Sequence, residues 1–333
     1  MRILLGQKKN FYKANLHAHS DYSDGKRTVE ELKEKYKEKG YSIVAFTDHE
    51  HIIDNSRLND DEFLTITSCE VAIKELPGVS TLKKFDMKVT HLNFYSKDPH
   101  NIKTPCYSIE YDTRINDKNR DLIWQGIDYK RDYSTDGINE MIRIANSEGF
   151  LVSYNHPSWS LENATDYLNY EGMFAVEIFN WDCMMSGQHN DENVFEDLLR
   201  AGKKVFCTAN DDNHNKYPFD SPYSDSFGGW CMINSDRLDY TEIMTSLENG
   251  DFYASTGPEI YSIVEDGGKV KVKTSNAKKI SLLTKTRRVS RVIAEEGKLV
   301  SEAELELNET DGFFRIRVED EKGRIAWSQA YDL

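Results

Sequence analysis

Histidines and carboxylates accompany several apolar, strand-like runs of this chain, most of them at or just after the end of the run. Six of the nine histidines lie at such places: His17, His19, His49, His91, His156 and His214. Acidic residues accompany them, namely Asp24, Asp48, Glu70, Asp211 and Asp212. Imidazole and carboxylate groups together are the usual ligands of zinc, manganese and iron. These residue types therefore predict a metal centre.

Two short motifs have the spacing of a chelating pair. His17 and His19 are two residues apart, and alternate residues of a strand point to the same side, so both imidazoles can reach one ion. Asp212 and His214 repeat this spacing after another apolar run. Either motif alone is common, and the indication comes from their occurring together.

The single positions are weaker when each is taken alone. Glu70 closes an apolar run, where a buried carboxylate is costly unless it is paired or bound to a metal. A lone histidine at the position of His49 is more often a hydrogen-bonded core residue than a ligand, and His91 fits either role. Because six histidines share one position relative to the predicted strands, a metal site is the stronger interpretation. Surface or loop positions are expected for the others, His51, His100 and His189.

The elements that must position these residues alternate between strand and helix. Residues 28–39 predict a surface helix with a capping box formed by Thr28 and Glu31. Further helices are expected at 137–147, 193–200 and 240–248, and strands at 42–46, 63–69, 89–95, 150–154, 175–179 and 205–209. Short apolar strands alternating with helices predict a parallel α/β sheet or barrel, whose strand ends meet on one face.

The pattern changes after residue 257. Short alternating runs separated by Gly-containing turns predict a small antiparallel β domain, at 269–273, 280–284 and 313–318. We therefore predict two domains, 1–257 and 258–333. Residues 96–134 have no clear period and are interpreted as an insertion over one face of the first domain, of the kind that often forms a functional lid.

Composition excludes several classes of protein. The chain of 333 residues has a formal net charge of −15, which argues against extended nucleic-acid binding. No apolar stretch approaches the ~18 residues that a membrane span needs. The five cysteines are widely spread without a C-x-x-C spacing, so neither a disulfide framework nor a structural zinc site is expected. These features predict a cytoplasmic protein that acts on a small molecule.

The ordered motifs resemble a known family. The series begins with the segments His17–His19, Ser23–Gly25 and Thr47–His49. It continues with a strand-end glutamate and a strand histidine, and it ends with an Asn-His-Pro motif and an Asp-x-His motif. This series is similar to the PHP (polymerase and histidinol phosphatase) metallohydrolase superfamily, from about residue 10 to about residue 257. The two-domain layout, with Tyr253–Pro258 opening the β module, also resembles the branch that includes carbamate-hydrolysing members.

The resemblance implies a distorted seven-stranded β/α barrel that holds two to three divalent ions of zinc, manganese or iron. The first ion would be bound by His17, His19, Glu70 and Asp212, and the second by Glu70, His91 and His156. The third would be bound by Asp24, His49 and His214, and family members often have histidine where this chain has Asp24. Orienting roles beside these ligands fall to Asp48 and Asn155.

The chemistry that follows is hydrolysis by a hydroxide that bridges two ions. A phosphoesterase that releases phosphate from a small phosphorylated metabolite or nucleotide is the favoured function, and we expect the phosphate to be received by Lys26, Arg27 and Arg57. For Lys26 and Arg27, a solvated turn before the helix is an equal alternative. The other functions considered are a metal-dependent carboxyl-ester or carbamate hydrolase and a catalytically silent scaffold whose β domain binds a partner.

Overall fold

A computed structural model describes residues 1–75, 86–112, 116–119 and 128–333. Its helices are α1 (Val29–Glu38), α2 (Thr135–Ser147), α3 (Ala164–Tyr167), α4 (Trp181–Met185), α5 (Glu192–Arg200) and α6 (Tyr240–Asn249), with one 3-10 turn at Ser56–Leu58. Among the helices of these residues, none combines the length and apolar character that crossing a lipid bilayer requires.

Helix α1 begins and ends as its sequence predicts. The Thr28 hydroxyl accepts a hydrogen bond from the Glu31 amide at 3.2 Å, and the Glu31 carboxylate accepts one from the Thr28 amide at 3.0 Å. This reciprocal pair satisfies two amides that a helix start otherwise leaves without partners. The buried side of the helix carries Val29, Leu32 and Tyr36, which pack into the core. The helix therefore covers one side of the strands that follow.

The first part of the chain contributes ten strands after a short N-terminal one, β1 (Arg2–Leu5). They are β2 (Asn10–Ala18), β3 (Ile43–Phe46), β4 (Leu64–Ile66), β5 (Ser68–Lys74), β6 (Val89–Ser96), β7 (Phe150–Tyr154), β8 (Ala175–Asn180), β9 (Phe206–Asn210), β10 (Trp230–Ser235) and β11 (Phe252–Ser255). Most of these residues are buried on both faces, as is typical of strands covered by helices.

These strands are not all parallel. Strands β5 to β9 form one sheet in chain order. In this sheet β6 is antiparallel to both of its neighbours, β5 and β7, whereas β7, β8 and β9 are parallel. Strands β2, β3 and β4 are parallel neighbours in a second sheet, and β10 runs antiparallel to β2. The predicted parallel order is therefore confirmed for β2–β4 and β7–β9 but not for β6 and β10, which the chain enters from the opposite end of the sheet.

Two isolated parallel bridges connect the sheets. One joins His49 to Glu70, and the other joins Ala18 to Asn213. The hydrogen-bonded strands of the described residues form open sheets, so the fold is a mixed α/β fold, and the closed seven-stranded barrel stays a prediction. Both bridges lie beside predicted metal ligands, and they hold the ends of strands from different sheets next to each other.

The C-terminal part is rich in β-structure. Its strands are β12 (Ile260–Asp266), β13 (Lys269–Ala277), β14 (Lys279–Thr284), β15 (Val289–Ile293), β16 (Val300–Glu306), β17 (Phe313–Glu319), β18 (Ile325–Ser328) and β19 (Tyr331–Asp332). Strands β1, β12, β13 and β16 form an antiparallel sheet of four. Strands β15, β14, β17 and β18 instead continue the sheet of β11, β10, β2, β3 and β4.

Buried contacts join the C-terminal strands to the first part of the chain. Arg315 on β17 binds the carboxylates of Glu192 and Glu196 on α5, and its Nε lies 2.6 Å from Glu196 Oε1. The Trp327 ring lies 6.2 Å from the Phe179 ring, measured between centroids. Because these residues are in one continuous core, the two parts pack as a single body at this junction.

The predicted insertion at 96–134 falls partly on residues 113–115 and 120–127, which lie outside the described residues. Its described pieces are packed against the protein. Arg131 is buried and binds Glu50, and Asn119 donates a hydrogen bond to the Tyr22 carbonyl at 2.8 Å. The piece with Asn119 therefore attaches to the segment that precedes Asp24, and the piece with Arg131 attaches to Glu50, next to the ligand candidate His49.

Candidate metal centre

The two chelating motifs lie side by side because β2 and β9 end together. The Asp212 amide donates to the His17 carbonyl at 2.9 Å, and the His19 amide donates to the Asn213 carbonyl at 3.1 Å. Asp212 itself has a left-handed backbone conformation, with φ of 54°, which a short polar side chain tolerates. The backbone thus brings Asp212 directly against the two histidines of β2.

The Glu70 carboxylate lies at the centre of the site. Its Oε1 is 3.0 Å from His91 Nδ1, 3.2 Å from His17 Nε2 and 3.4 Å from His156 Nε2. The four side chains come from four different segments, and all are buried. The sequence prediction that Glu70 lies near His17 and His156 therefore agrees with the geometry.

The other oxygen of Glu70 faces a second set of histidines. Its Oε2 is 3.2 Å from His49 Nδ1 and 3.4 Å from His19 Nε2. His49 is placed there by the bridge to Glu70, in which the Glu70 amide donates to the Asp48 carbonyl at 3.2 Å. The two oxygens of one carboxylate can therefore serve neighbouring ions, as a bridging ligand does.

Asp212 supplies the second carboxylate, and Asp24 supplies the third. Asp212 Oδ1 lies 3.0 Å from His19 Nε2 and 3.1 Å from His17 Nε2. Asp24 lies further out, with Oδ1 3.6 Å from His49 Nε2 and Oδ2 3.5 Å from His214 Nε2. All nine ligand candidates are thus gathered in one place.

The donor atoms of this cluster fit metal ions. Three sets made up entirely of predicted ligands each have ligand atoms within 4.8 Å of one another: His19, Asp24, His49 and His214; His17, Glu70 and His156; and His17, His19 and Asp212. Among the described residues, His17 Nε2, His19 Nε2 and Asp212 Oδ1 are buried without a hydrogen bond of good geometry. Buried polar atoms rarely stay unsatisfied, so these atoms are suited to binding a cation. His91 touches Glu70 but lies outside the three sets.

A comparison with protein families identifies most of the first part of the chain. Residues 15–177 match the family model described as PHP domain. This segment is a PHP domain. It includes every ligand candidate except Asp212 and His214, which the bridge between Ala18 and Asn213 brings to it. Membership of this domain family supports metal-dependent hydrolysis at the level of the family.

Three solved structures are similar to this chain at low sequence identity. A two-domain protein from Bacteroides vulgatus, described as containing a predicted PHP-like metal-dependent phosphoesterase, is 12% identical, covers 100% of this chain and 99% of its own, and has a TM-score of 0.46. A Chromobacterium violaceum amidohydrolase is 13% identical, covers 60% and 87%, and has a TM-score of 0.39. A putative metal-dependent phosphoesterase from Bifidobacterium adolescentis is 16% identical, covers 61% and 88%, and has a TM-score of 0.35. Among curated proteins, no relative matches this sequence.

The charges of the nine ligand candidates stabilise one another. Burial alone would raise the pKa of Glu70, but the neighbouring His91 and His17 hold that pKa well below its usual range. Burial would lower the pKa of His19, yet the carboxylates of Asp212 and Glu70 close to its Nε2 raise the pKa to about 10. The pKa of His91 is lowered, chiefly by burial. The shifts of Glu70 and His19 thus favour opposite charges on these two neighbours, which offset one another.

Glu177 is a site residue that the sequence analysis missed. Its carboxylate is fully buried and accepts from Asn210 Nδ2 at 2.8 Å and from Asn180 Nδ2 at 2.9 Å, and it lies 3.0 Å from His17 Nδ1. An acceptor at Nδ1 leaves Nε2 of His17 free to face the cluster. The signal was one charged residue inside the apolar strand Ala175–Asn180, which the strand prediction passed over.

The predicted orienting residues lie beside the ligands. Asn155 Nδ2 donates to Glu70 Oε1 at 2.9 Å. Asp48 accepts from the Ser20 amide at 2.8 Å and from Ser23 Oγ at 2.7 Å, and Ser23 Oγ is 3.4 Å from His19 Nδ1. Asp48 is therefore linked to His19 by hydrogen bonds through Ser23.

Asp211 has a different role from that of its neighbour Asp212. Its carboxylate accepts from the amides of Phe227 and Gly228, each at 2.8 Å, and from the Tyr36 hydroxyl at 2.7 Å. Burial raises the pKa of Asp211 to about 6. This carboxylate therefore connects the segment before β10 to α1, and it has a structural role next to Asp212.

The predicted phosphate-binding residues lie around α1. Arg57 Nη2 is 2.5 Å from Glu30 Oε1, and the Arg27 guanidinium lies 5.6 Å from the centre of the Phe219 ring. The Lys26 amide donates to the His214 carbonyl at 2.9 Å. Of the three, Lys26 is tied directly to a segment of the metal centre, and binding of phosphate by any of them stays a prediction.

Proposed function

We propose that this protein is a metal-dependent phosphoesterase that releases phosphate from a small phosphorylated metabolite or nucleotide. The observation that carries the proposal is the convergence of five histidines on the two oxygens of Glu70 within a PHP domain. A buried carboxylate in such surroundings has the arrangement of a bridging metal ligand, and no structural need of the fold accounts for so many inward-facing imidazoles.

Three sets of residues would hold the ions. His17, His19, Glu70 and Asp212 would hold the first; Glu70, His91 and His156 the second; and Asp24, His49 and His214 the third. A mixed nitrogen and oxygen ligand set suits zinc, manganese or iron. When bound, such ions lower the pKa of water toward neutrality and polarise a phosphoryl oxygen.

The residues of the chain orient the proposed ligands and bury them away from bulk water. Glu177 fixes the ring orientation of His17, and Asn155 fixes the Glu70 carboxylate. Burial of His17, His19 and Glu70 keeps bulk water away, which strengthens every electrostatic interaction at the reacting atoms. The work of the protein is therefore to hold the ligands in place before substrate arrives.

The test is hydrolysis by protein loaded with Mn²⁺ or Zn²⁺ after removal of metals. Phosphate release is measured on a panel of phosphomonoesters and phosphodiesters, in parallel with p-nitrophenyl acetate and aryl carbamates. Phosphate release that requires added metal supports the proposal. Turnover of only the acetate or the carbamates would instead identify a carboxyl-ester or carbamate hydrolase. Less than one bound ion per chain, with no gain in turnover on adding metal, would identify a silent scaffold.

We also propose that the protein works in the cytoplasm. All five cysteines are buried and free, which suits a reducing compartment. The net charge of −15 leaves a small molecule as the expected partner rather than a nucleic acid. Fractionation of the native host, with the protein detected by antibody, checks the compartment.

A further inference from the structure

Trp159 is an exposed aromatic residue at the edge of the metal centre. Its side chain is 42% exposed, although its ring centroid lies only 5.0 Å from that of His91 and 4.9 Å from that of His156. Both histidines contact the same oxygen of Glu70. A single exposed tryptophan on a protein surface is ordinary. This one has one part packed on two ligand candidates and the rest open to solvent.

The turn that carries Trp159 is firmly held. The Ser158 hydroxyl donates to Asp191 Oδ1 at 2.5 Å, and the Ser158 amide donates to the same oxygen at 3.2 Å. On the other side of Trp159, the Ser160 amide donates to the His156 carbonyl at 3.1 Å. Both neighbours of the tryptophan are thus anchored, and Asp191 is itself buried. The ring is presented in a fixed place, which lowers the entropy cost of stacking a ligand on it.

The same turn presents a second apolar side chain. Leu161 is 49% exposed and has a left-handed backbone, with φ of 59°, which is strained for a leucine. Trp159 itself places an exposed apolar surface directly beside the charged cluster. A ligand with a charged end and a flat apolar end would match both neighbours at once.

We propose that Trp159 is a stacking platform for a planar aromatic group of the substrate, next to the phosphoryl group held at the metal centre. This inference rests on the proposed function and names the substrate class. Aromatic rings stack on an indole face with a geometry that a non-planar ring of equal size cannot adopt. The substrate would then be a phosphate ester that carries an aryl ring or a nucleobase.

The decisive experiment compares benzyl phosphate with cyclohexylmethyl phosphate, which have similar size and similar leaving groups but differ in planarity. The metal-loaded wild type should prefer the benzyl ester by about tenfold in kcat/KM. Trp159→Leu, which keeps an apolar cover on His91 and His156, should abolish this preference, so that the ratio of kcat/KM for the two esters falls to about one. Trp159→Phe should keep most of the preference. Tyr261→Ala, at a 49% exposed residue of β12, is the control and should change neither ester.

A binding measurement separates this inference from the proposed function. Isothermal titration with benzylphosphonate and cyclohexylmethylphosphonate, which are not hydrolysed, should show about tenfold tighter binding of the benzyl compound to the wild type and no difference for Trp159→Leu. Equal binding of both compounds to the wild type would overturn the platform, whatever the enzyme hydrolyses. Selective binding without any phosphate release would support the platform and overturn the phosphoesterase.

A further pair of ligands tests whether the planar group is a nucleobase or a simple aryl ring. Adenosine 5′-monophosphate and ribose 5-phosphate share the phosphorylated ribose, and C1 of the sugar carries adenine in the first and a hydroxyl in the second. Tighter binding of the nucleotide, lost in Trp159→Leu, would support a nucleobase on the platform. If the nucleobase adds nothing while benzylphosphonate is still preferred, the platform is supported with a simple aryl group.

Discussion

Two buried carboxylates, Glu50 and Glu70, are neutralised in different ways although the Glu50 amide donates to the Glu70 carbonyl at 2.8 Å. Glu50 is bound by the Arg131 guanidinium, with Oε1 2.8 Å from Nη1 and Oε2 2.5 Å from Nη2. The guanidinium also donates to the carbonyls of Ala72 and Cys106. The chain thus completes this ion pair by itself, with both carboxylate oxygens and several donors satisfied.

Glu70 has no such partner among the described residues, and five histidines from four segments surround it instead. Two of these histidines have buried Nε2 atoms without a well-formed hydrogen bond. Burial therefore does not distinguish the two carboxylates. The difference lies in the counter-charge, which the chain provides for Glu50 and which a bound cation would provide for Glu70.

The largest effect should follow from Glu70→Gln. Because one change removes charge from every proposed ligand set that shares this residue, we expect kcat to fall by at least about a thousandfold. Metal content, measured on the purified protein, should fall in parallel, while the circular dichroism spectrum is kept. Glu62→Gln, at an exposed acid, is the matched control. Activity within tenfold of wild type would remove Glu70 from the centre of the mechanism.

Arg131→Met should have the largest effect on stability. It leaves the Glu50 carboxylate buried without a counter-charge, so the free energy of unfolding in urea should fall by about 3–5 kcal/mol. The double variant Glu50→Gln, Arg131→Met should recover most of this loss, since both charges are then gone. A loss below about 1 kcal/mol for Arg131→Met would show that the pair is not needed for stability.

Metal addition should stabilise the two variants unequally. At a free metal concentration of 100 times Kd, the free energy of unfolding of the wild type should rise by about 2.7 kcal/mol. Arg131→Met should gain the same amount, because its defect lies outside the metal centre, whereas Glu70→Gln should gain little. An equal gain for both variants would mean that the ion binds elsewhere.

Glu177→Gln should have a smaller effect on the same centre. Loss of a partner that orients a ligand usually costs about 10- to 100-fold in metal affinity. The affinity is measured by titration of metal into the metal-free protein, with kcat then read at saturating metal. Because glutamine keeps one acceptor oxygen, Glu177→Leu should lose more. Unchanged affinity in both variants would leave Glu177 with a purely structural role.

The smallest effect is expected where a pair is exposed. Arg57→Ala removes a contact with Glu30 on the surface, and exposed pairs contribute only about 0.2–1 kcal/mol. Thermal unfolding should show a change within this range. The same variant tests the phosphate-binding role predicted for Arg57, because a tenfold rise in KM for a phosphate ester would support that role.

The sequence was most informative where function and strand pattern coincide. Histidines at the ends of apolar runs predicted a cluster around Glu70, and the geometry agrees because parallel neighbours such as β2 and β3 end at the same edge. The capping box of α1 could also be predicted from the sequence, because its interactions join residues that are close along the chain.

Long-range pairing could not be read from the sequence. β1 is short and lies at the start of the chain, and only its partner β12, more than 250 residues later, makes it a strand. The antiparallel course of β6 depends likewise on where the chain re-enters the sheet. Glu177 was missed because its value comes from His17 and Asn210, which are distant in sequence.

The pairing of β18 with β11 has a consequence for dividing this protein. Tyr253 faces Ser328 and Ala254 faces Trp327 across that pair. A chain ending at residue 257 would leave the outer side of β11 as a bare row of amide and carbonyl groups, and would strip Trp327 from its contact with Phe179. Such an edge is a template for aggregation. The sequence pattern changes at residue 257, but the hydrogen bonds of one sheet connect strands on both sides of it. A fragment shortened at this residue would therefore have an exposed strand edge at which molecules can associate.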